Sequence, residues 1–145
     1  MTRRTYIPRN VSGERVRMAI MAARPNGLSV KEIMDTTDLS RSQVAAGILW
    51  IKEKAAGENL TPLSWSRKEG YRFSDDPTDW IEYERSQTRK TLTGLVRMVK
   101  STLDPHLQRE PTDSWATMAS SQLAGIIKGL EFITAQHVTA APSGT

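Results

Sequence analysis

The chain of 145 residues contains no cysteine and only two histidines. The missing cysteines exclude a disulfide framework, a Cys-based zinc site and a thiol nucleophile, which suits a reducing compartment. His106 and His137 lie far apart, and no metal-ligand spacing surrounds either of them. We therefore predict neither a metal site nor a cofactor.

Long apolar runs are missing as well. No stretch approaches the length of a membrane-spanning helix, and the first residues, MTRRTYIPRN, lack the apolar segment of a signal peptide. We therefore expect a cytoplasmic protein with no membrane partner. A chain of this length, with 38% hydrophobic residues, can bury one real core and carry a helical extension.

The positive charge is concentrated in the first half of the chain. Up to Phe73 there are 13 Lys and Arg against 7 Asp and Glu, a net charge of +6. The remainder has 7 against 9, a net charge of −2, which agrees with the overall +4. The first half could therefore bind a polyanion, although a solvated basic face would have the same composition.

A first helix is predicted after Ser12, a plausible N-cap. Proline and an Asn-Gly pair in the segment Arg24–Gly27 end it. Its apolar stripe recurs at intervals of three and four residues and consists of Val16, Ala19, Ile20 and Ala23.

Two capping boxes predict the starts of the next two helices. Ser29–Glu32 opens a short helix, and Ser40–Gln43 opens a longer one at about Arg41. Between them, Asp38 tolerates the left-handed conformation of a tight turn, and Leu39 can anchor that turn in the core.

The third helix has a buried face and a thin outer face. Gly57 is predicted to end it as a left-handed C-cap residue. Gly47 lies inside it, where glycine costs about 1 kcal/mol against alanine. Either close approach of a partner or close packing against the second helix would explain that glycine. The predicted buried residues are Val44, Ile48, Ile51 and Ala55, and the small residues beside Gly47 are Ala45 and Ala46.

Two short segments rich in β-favouring residues predict a hairpin. They are Leu60–Ser66 and Tyr71–Ser74, and the Gly-containing loop between them carries Arg67 and Lys68. Pro62 restricts the first strand to a sheet edge or a late start.

The order of helix, short helix, turn, helix and basic hairpin resembles a winged helix-turn-helix domain of the kind found in MarR-like and related bacterial and phage regulators. The residues that carry the resemblance are LSVKEIMDTTDLSRSQVAAGILWIKEKAAGE, Leu28 to Glu58, and LSWSRKEGYRF, Leu63 to Phe73. They cover roughly the first half of the chain. The turn position often taken by glycine in such domains is Asp38, which places an acid near any bound phosphate.

The resemblance implies that the helix from Arg41 is a recognition helix and that the hairpin is a wing. Donors and acceptors at the start of such a helix can read base edges in the major groove, and cations on a wing suit phosphates or the minor groove. Two alternatives stay open: Gln43 serves only as a capping partner, and Arg41 pairs with Asp38. The implied contacts to double-stranded DNA are Arg41, Ser42, Gln43 and Ala46 on the helix, Arg67 and Lys68 on the wing, and Arg3, Arg4 and Arg9 on an N-terminal arm.

The second half predicts two long helices. The first starts at Asp76-Pro77, runs to about Leu103 and is stopped by Asp104-Pro105. After a polar linker, the second runs from Asp113 or Ser114 to Gln136, with Trp115, Met118, Ala119, Leu123, Ile126, Ile127, Leu130 and Ile133 inside. The last residues have the composition of a disordered tail.

The wide apolar stripes of these helices predict a homodimer, because a single helical hairpin has only one internal seam. Packing against the first domain of the same chain is the alternative. A two-fold dimer would place two recognition helices about one DNA turn apart and predicts a palindromic site. The predicted dimer contacts are Leu92, Leu95, Val99, Leu103, Trp115, Leu123, Ile126 and Leu130.

The predicted fold is therefore mainly α with a small β-hairpin, a winged helix-turn-helix followed by two long helices. Its parts are a flexible basic arm (1–11), the winged domain (12–75), a helical dimerisation region (76–137) and a disordered tail (138–145).

We expect a sequence-specific DNA-binding protein, a homodimeric transcriptional regulator. The alternatives are a phage or plasmid replication, partition or packaging factor and a protein-interaction module. No catalytic set of side chains and no phosphate-binding glycine loop is recognisable, so an enzyme is not expected. A small-molecule effector stays open.

Overall fold

The computed structural model describes residues 5–136. Within this range the chain is mainly helical with one small antiparallel hairpin, as the sequence predicts. It divides into two compact units between Tyr83 and Glu84, inside a long helix. The predicted tail, 138–145, and the first four residues of the predicted arm lie outside the described residues.

Helix α1 (Arg9–Ala23) begins earlier than the sequence predicts. The N-cap is Pro8, whose carbonyl accepts from the Val11 and Ser12 N–H groups at 3.0 Å. Ser12, the predicted N-cap, is instead buried inside the helix. The predicted flexible arm therefore loses its last three residues to α1, because the preset backbone of a proline can begin a helix without a side-chain cap.

Helices α2 (Val30–Thr37) and α3 (Arg41–Trp50) begin where the capping boxes predict. In α2, Ser29 Oγ accepts from the Glu32 N–H at 3.1 Å, and Glu32 Oε1 accepts from the Ser29 N–H at 3.0 Å. Asp38 has φ 58°, the left-handed conformation predicted for the turn, and Leu39 is buried.

The capping box of α2 is expected to titrate, whereas that of α3, with a neutral glutamine, is not. The Ser29 backbone N–H holds the pKa of Glu32 below its ordinary value. A lowered pKa in the folded state stabilises the protein above the unfolded-state pKa, about 4.3, and this contribution disappears as the pH falls through the lowered value. NMR titration of the Glu32 side chain should show the lowered pKa. Ser29→Ala keeps the backbone N–H and removes only the hydroxyl, the smaller of the two lowering causes, so it should raise the pKa only part of the way back. An ordinary Glu32 pKa in the natural chain would contradict the box.

The core of the first unit lies between α1, α2, α3 and the hairpin. Helices α1 and α3 form its main contact, and the buried face predicted for the third helix is confirmed. The buried residues of this core are Val16, Ile20, Ile33, Leu39, Val44, Ile48, Ile51, Ala55 and Phe73.

Helix α3 continues without a break through a π-helical turn (Ile51–Ala55) into α4 (Ala56–Asn59). The prediction that Gly57 is the left-handed C-cap is wrong, because the left-handed residue is Leu60, with φ 53°. The Leu60 N–H forms the cap by donating to the Gly57 carbonyl at 3.3 Å, and the Asn59 side-chain amide adds a bond of 2.8 Å to the Ala55 carbonyl.

The predicted hairpin is present as β1 (Leu63–Ser66) and β2 (Gly70–Phe73), paired from Leu63 opposite Phe73 to Ser66 opposite Gly70. Strand β1 begins just after Pro62, the late start that proline favours. On its other side β2 bonds to the segment before α2, where Leu28 and Tyr71 exchange backbone hydrogen bonds of 2.9 and 2.8 Å. These bonds fix the hairpin beside α2 and α3.

Helix α5 (Pro77–Met98) starts as predicted, with the Asp76 carboxylate accepting from the Thr78 N–H at 3.0 Å. The predicted stop at Asp104-Pro105 is wrong. The helix continues through a second π-helical turn (Val99–Leu103) into α6 (Asp104–Arg109). The wider turn directly before Pro105 changes the hydrogen-bond register where a proline ring would otherwise meet the preceding turn.

Helix α7 (Ser114–Ala135) is capped by Asp113, whose Oδ1 accepts from the Ala116 N–H at 2.8 Å. The second unit has a small core of Leu103, Ala116 and Ala119, with Val99, Leu107 and Leu123 packed around it. Four residues predicted to lie inside are exposed in the single chain: Trp115, Met118, Ile126 and Ile133. Across residues 5–136 no helix combines the length and the apolar character that crossing a bilayer requires.

Candidate nucleic-acid interface

Both functional groups of the Gln43 side chain are used within the chain. Its Oε1 accepts from the Ser40 N–H at 2.9 Å, while Ser40 Oγ accepts from the Gln43 N–H at 3.2 Å. Its Nε2 donates to the Thr5 carbonyl at 3.2 Å. The capping role is therefore confirmed, and one amide hydrogen is left over, since a glutamine amide carries two.

The other polar residues that open α3 face solvent. Arg41, Ser42 and Ala45 are exposed, and Ala46 is half-buried. Among the described residues no carboxylate lies within 4.0 Å of the Arg41 guanidinium, so the alternative pairing with Asp38 is not observed. Of the small residues predicted to form a thin outer face, only Ala45 lies open beside Arg41, because Gly47 is buried against α1 and Ala46 is half-buried.

A cleft of about 390 Å³ separates the outer face of α3 from the hairpin. Its two cations are Arg41 and Lys52, at opposite ends of the helical face, and the hairpin contributes Tyr71. No acidic side chain is among its lining residues, which are Val30, Arg41, Ala45, Ile48, Leu49, Lys52 and Tyr71.

Lys52 is a candidate DNA contact that was not predicted from the sequence, because the predicted helix contacts all lie in the first two turns of the third helix. The signal was present: Arg41, Ala45, Leu49 and Lys52 follow at intervals of four, four and three, on the side away from Val44. Residues so spaced share one helical face. Both ends of this face are therefore cationic.

The hairpin tip carries two exposed cations, Arg67 and Lys68, in the three-residue loop between the strands. The loop closes on a hydrogen bond of 3.0 Å from the Glu69 N–H to Ser66 Oγ. Gly70 follows with φ 76°, and a Cβ there would collide with the Leu28 backbone. The tip is thus held at a defined place while its cations stay in solvent.

Several other cations of the first unit are already paired with acids. Arg72 contacts Asp79 at 3.0 Å, and Arg17 bonds to Glu14, which raises the pKa of the arginine. Arg9, predicted as part of the arm, sits in the first turn of α1 and pairs with Glu53 at 2.9 Å. That pair offsets an acidic charge on the helix that extends α3.

Arg3 and Arg4 lie outside the described residues. Thr5, the first described residue, is held beside the start of α3 by its bond to Gln43.

The predicted dimer residues fall into three groups. Leu103 is buried in the chain's own second core, and Val99 and Leu123 pack around it. Leu92, Leu95 and Leu130 are half-buried, whereas Trp115 and Ile126 are exposed.

Within residues 5–136 no group of three or more histidine, aspartate or glutamate side chains could hold a metal ion. Comparisons of the chain with protein-family models, with curated proteins and with solved structures find no match in any of the three.

Proposed function

We propose that the first unit is a winged helix-turn-helix module that binds double-stranded DNA. The outer face of α3 enters the major groove, and the hairpin tip lies on the neighbouring phosphates or in the minor groove. The observation that carries this proposal is the cleft between α3 and the hairpin, with a cation at each end and no acid in its lining.

The connection between α2 and α3 supports the proposal. Three residues separate the helices, the length usual for a helix-turn-helix, with Asp38 left-handed and Leu39 buried. Because capping boxes hold both helix starts, α3 is presented as a rigid element. A helix that is already ordered loses little further backbone conformational entropy when it enters a groove.

The polar side chains of the module fall into two groups. Some suit phosphates and would position the protein on DNA, and others suit base edges and would give sequence specificity. Arg41 can reach guanine or a phosphate from the first turn of α3, and Ser42 can bond to either. Lys52, Arg67 and Lys68 suit phosphates on both sides of the groove. Gln43 reads a base only by giving up its Thr5 bond or by using its second amide hydrogen.

Two copies of the module on a two-fold axis would read a palindromic site, with half-sites about one helical turn of DNA apart. We therefore propose that the protein binds DNA as a homodimer and acts as a transcriptional regulator.

The double variant Arg41→Ala/Lys52→Ala is expected to lower affinity for duplex DNA by roughly 10- to 100-fold at moderate salt. The logarithm of affinity should also fall less steeply with the logarithm of salt concentration, by about 0.9 for each phosphate that the variant no longer neutralises. Fluorescence anisotropy with a pool of random duplexes, then with sites selected from that pool, measures both quantities.

The matched control is Lys90→Ala/Lys100→Ala, which removes two exposed cations from the helix of the second unit. It should bind like the natural chain. An equal decrease in DNA affinity in both double variants would mean that the effect reflects only the net charge of the protein. No DNA binding by the natural chain at low salt would overturn the proposal.

One observation favours a second candidate, a module that docks a protein. Leu49 is 47% exposed in the middle of the cleft-facing side of α3, where a DNA-reading helix more often carries polar residues. A replication, partition or packaging factor could combine both functions. Leu49→Ala should change DNA affinity little, whereas a protein partner held there should no longer bind.

A further inference from the structure

Helix α7 exposes an apolar face that residues 5–136 do not cover. Five large side chains on this helix, Trp115, Met118, Ile126, Phe132 and Ile133, are between 50% and 68% exposed. Four of them, at 115, 118, 126 and 133, follow at intervals of three, eight and seven residues, close to whole helical turns, and share one side. The whole helix carries only two charged residues, Lys128 and Glu131.

This face is not the one that packs within the second unit. The packed face carries Ala116, Ala119 and Leu123, which contact Leu103 and its neighbours. Together the two faces make α7 apolar around most of its circumference, and a helix of that kind is normally buried. The outer face therefore lacks a partner among the described residues of the chain.

Two glycines lie on the outer face, four residues apart. A Cβ added at Gly125 or Gly129 would meet nothing within 4 Å, so packing within the described chain does not explain either glycine. Glycine disfavours a helix relative to alanine. Small residues spaced by four, here Ser121, Gly125 and Gly129, allow a second helix to approach closely.

We infer that α7 pairs with α7 of a second copy, the two helices crossing at Gly125 and Gly129. At about 200 Å² per fully exposed side chain, the four large residues that share this side offer about 440 Å² of apolar surface. A stable interface buries about 800 Å² per partner, so this patch supplies about half of one.

A second copy is the occupant that suits this face. A two-fold interface brings one patch onto itself, so an uncharged patch with bulky ends and a small centre is self-complementary. The bulky residues on either side of the glycines can then pack against the partner helix on both flanks.

This inference rests on the homodimer part of the proposed function, deepens it, and keeps only some of the dimer contacts that the sequence predicts. Leu103, Val99 and Leu123 belong to the internal core, whereas Trp115 and Ile126 lie on the dimer face. The test contains no DNA, so the interface and DNA binding can fail separately.

The test is sedimentation equilibrium of the full chain over a range of concentrations. The natural chain should dimerise, and Gly125→Ile should raise the dissociation constant about 10-fold or more, because the branched side chain blocks the helix crossing. Gly94→Ile is the matched control: Gly94 lies in α5, a Cβ there also meets nothing within 4 Å, and dimerisation should be unchanged.

Circular dichroism should show both glycine variants as helical as the natural chain, and Ile126→Lys provides a second, charge-based disruption. A natural chain that stays monomeric at all concentrations would overturn the inference, with its own first unit or another protein covering the face. A dimer that survives both Gly125→Ile and Ile126→Lys would place the interface elsewhere and overturn it equally.

Discussion

Phe73→Ala is expected to lower the free energy of unfolding of the first unit by about 3 to 5 kcal/mol, the usual range for truncating a buried phenylalanine. Phe73 is 3% exposed and is the hairpin's contribution to the buried core. Because it lies at the end of β2, truncating it removes the anchor that holds the hairpin beside α3. Urea denaturation followed by circular dichroism measures the change.

Trp65→Ala on the neighbouring strand is the control. Trp65 is 45% exposed and lies opposite Tyr71, so truncating it should remove only a cross-strand pair, about 1 kcal/mol or less. If the two variants were equally destabilised, the hairpin would be held by its own strand pairing and not by the core. DNA affinity should follow the same order, falling strongly only in Phe73→Ala.

Gly47→Ala is expected to destabilise the first unit by about 2 kcal/mol, although alanine is the better helix former. A Cβ at Gly47 would lie 3.0 Å from the Ser12 carbonyl oxygen and from Val16 Cγ2, and 3.1 Å from the Gly13 nitrogen. Two of these atoms belong to the backbone of α1, which cannot move aside as a flexible side chain can. The two helices would therefore have to separate.

Gly57→Ala, in the same continuous helix, should shift stability the other way, by about 0.5 to 1 kcal/mol. An added Cβ there meets nothing within 4 Å. Thermal or urea unfolding measures the change in stability of each variant relative to the natural chain. A stabilised Gly47→Ala would mean that α1 and α3 are not closely packed at this position.

Features that depend on neighbouring residues were predictable. The two capping boxes, the left-handed Asp38 and the late start of β1 each follow from side chains a few residues apart. The same local rules failed at Ser12, Gly57 and Pro105. In each case another arrangement satisfied the backbone: a preceding proline, a left-handed leucine and a π-helical turn.

The candidate interface was predictable in part. The exposure of Arg41 and Ser42, and of the hairpin cations, follows from the helix and hairpin patterns. The use of Gln43 by Thr5 does not, because the two residues are 38 positions apart in the chain. The inclusion of Lys52 and Tyr71 in one cleft depends equally on how the hairpin lies against α3.

By itself, the sequence of this protein determined where most helices and the hairpin begin and which side chains form the buried face of α3, since caps and periodicity act within a turn or two. Tertiary structure alone decided what Gly47 is for, which cations remain in a cleft and which face of α7 stays uncovered. These depend on distances between segments far apart in sequence, and local spacing carries no information about such distances.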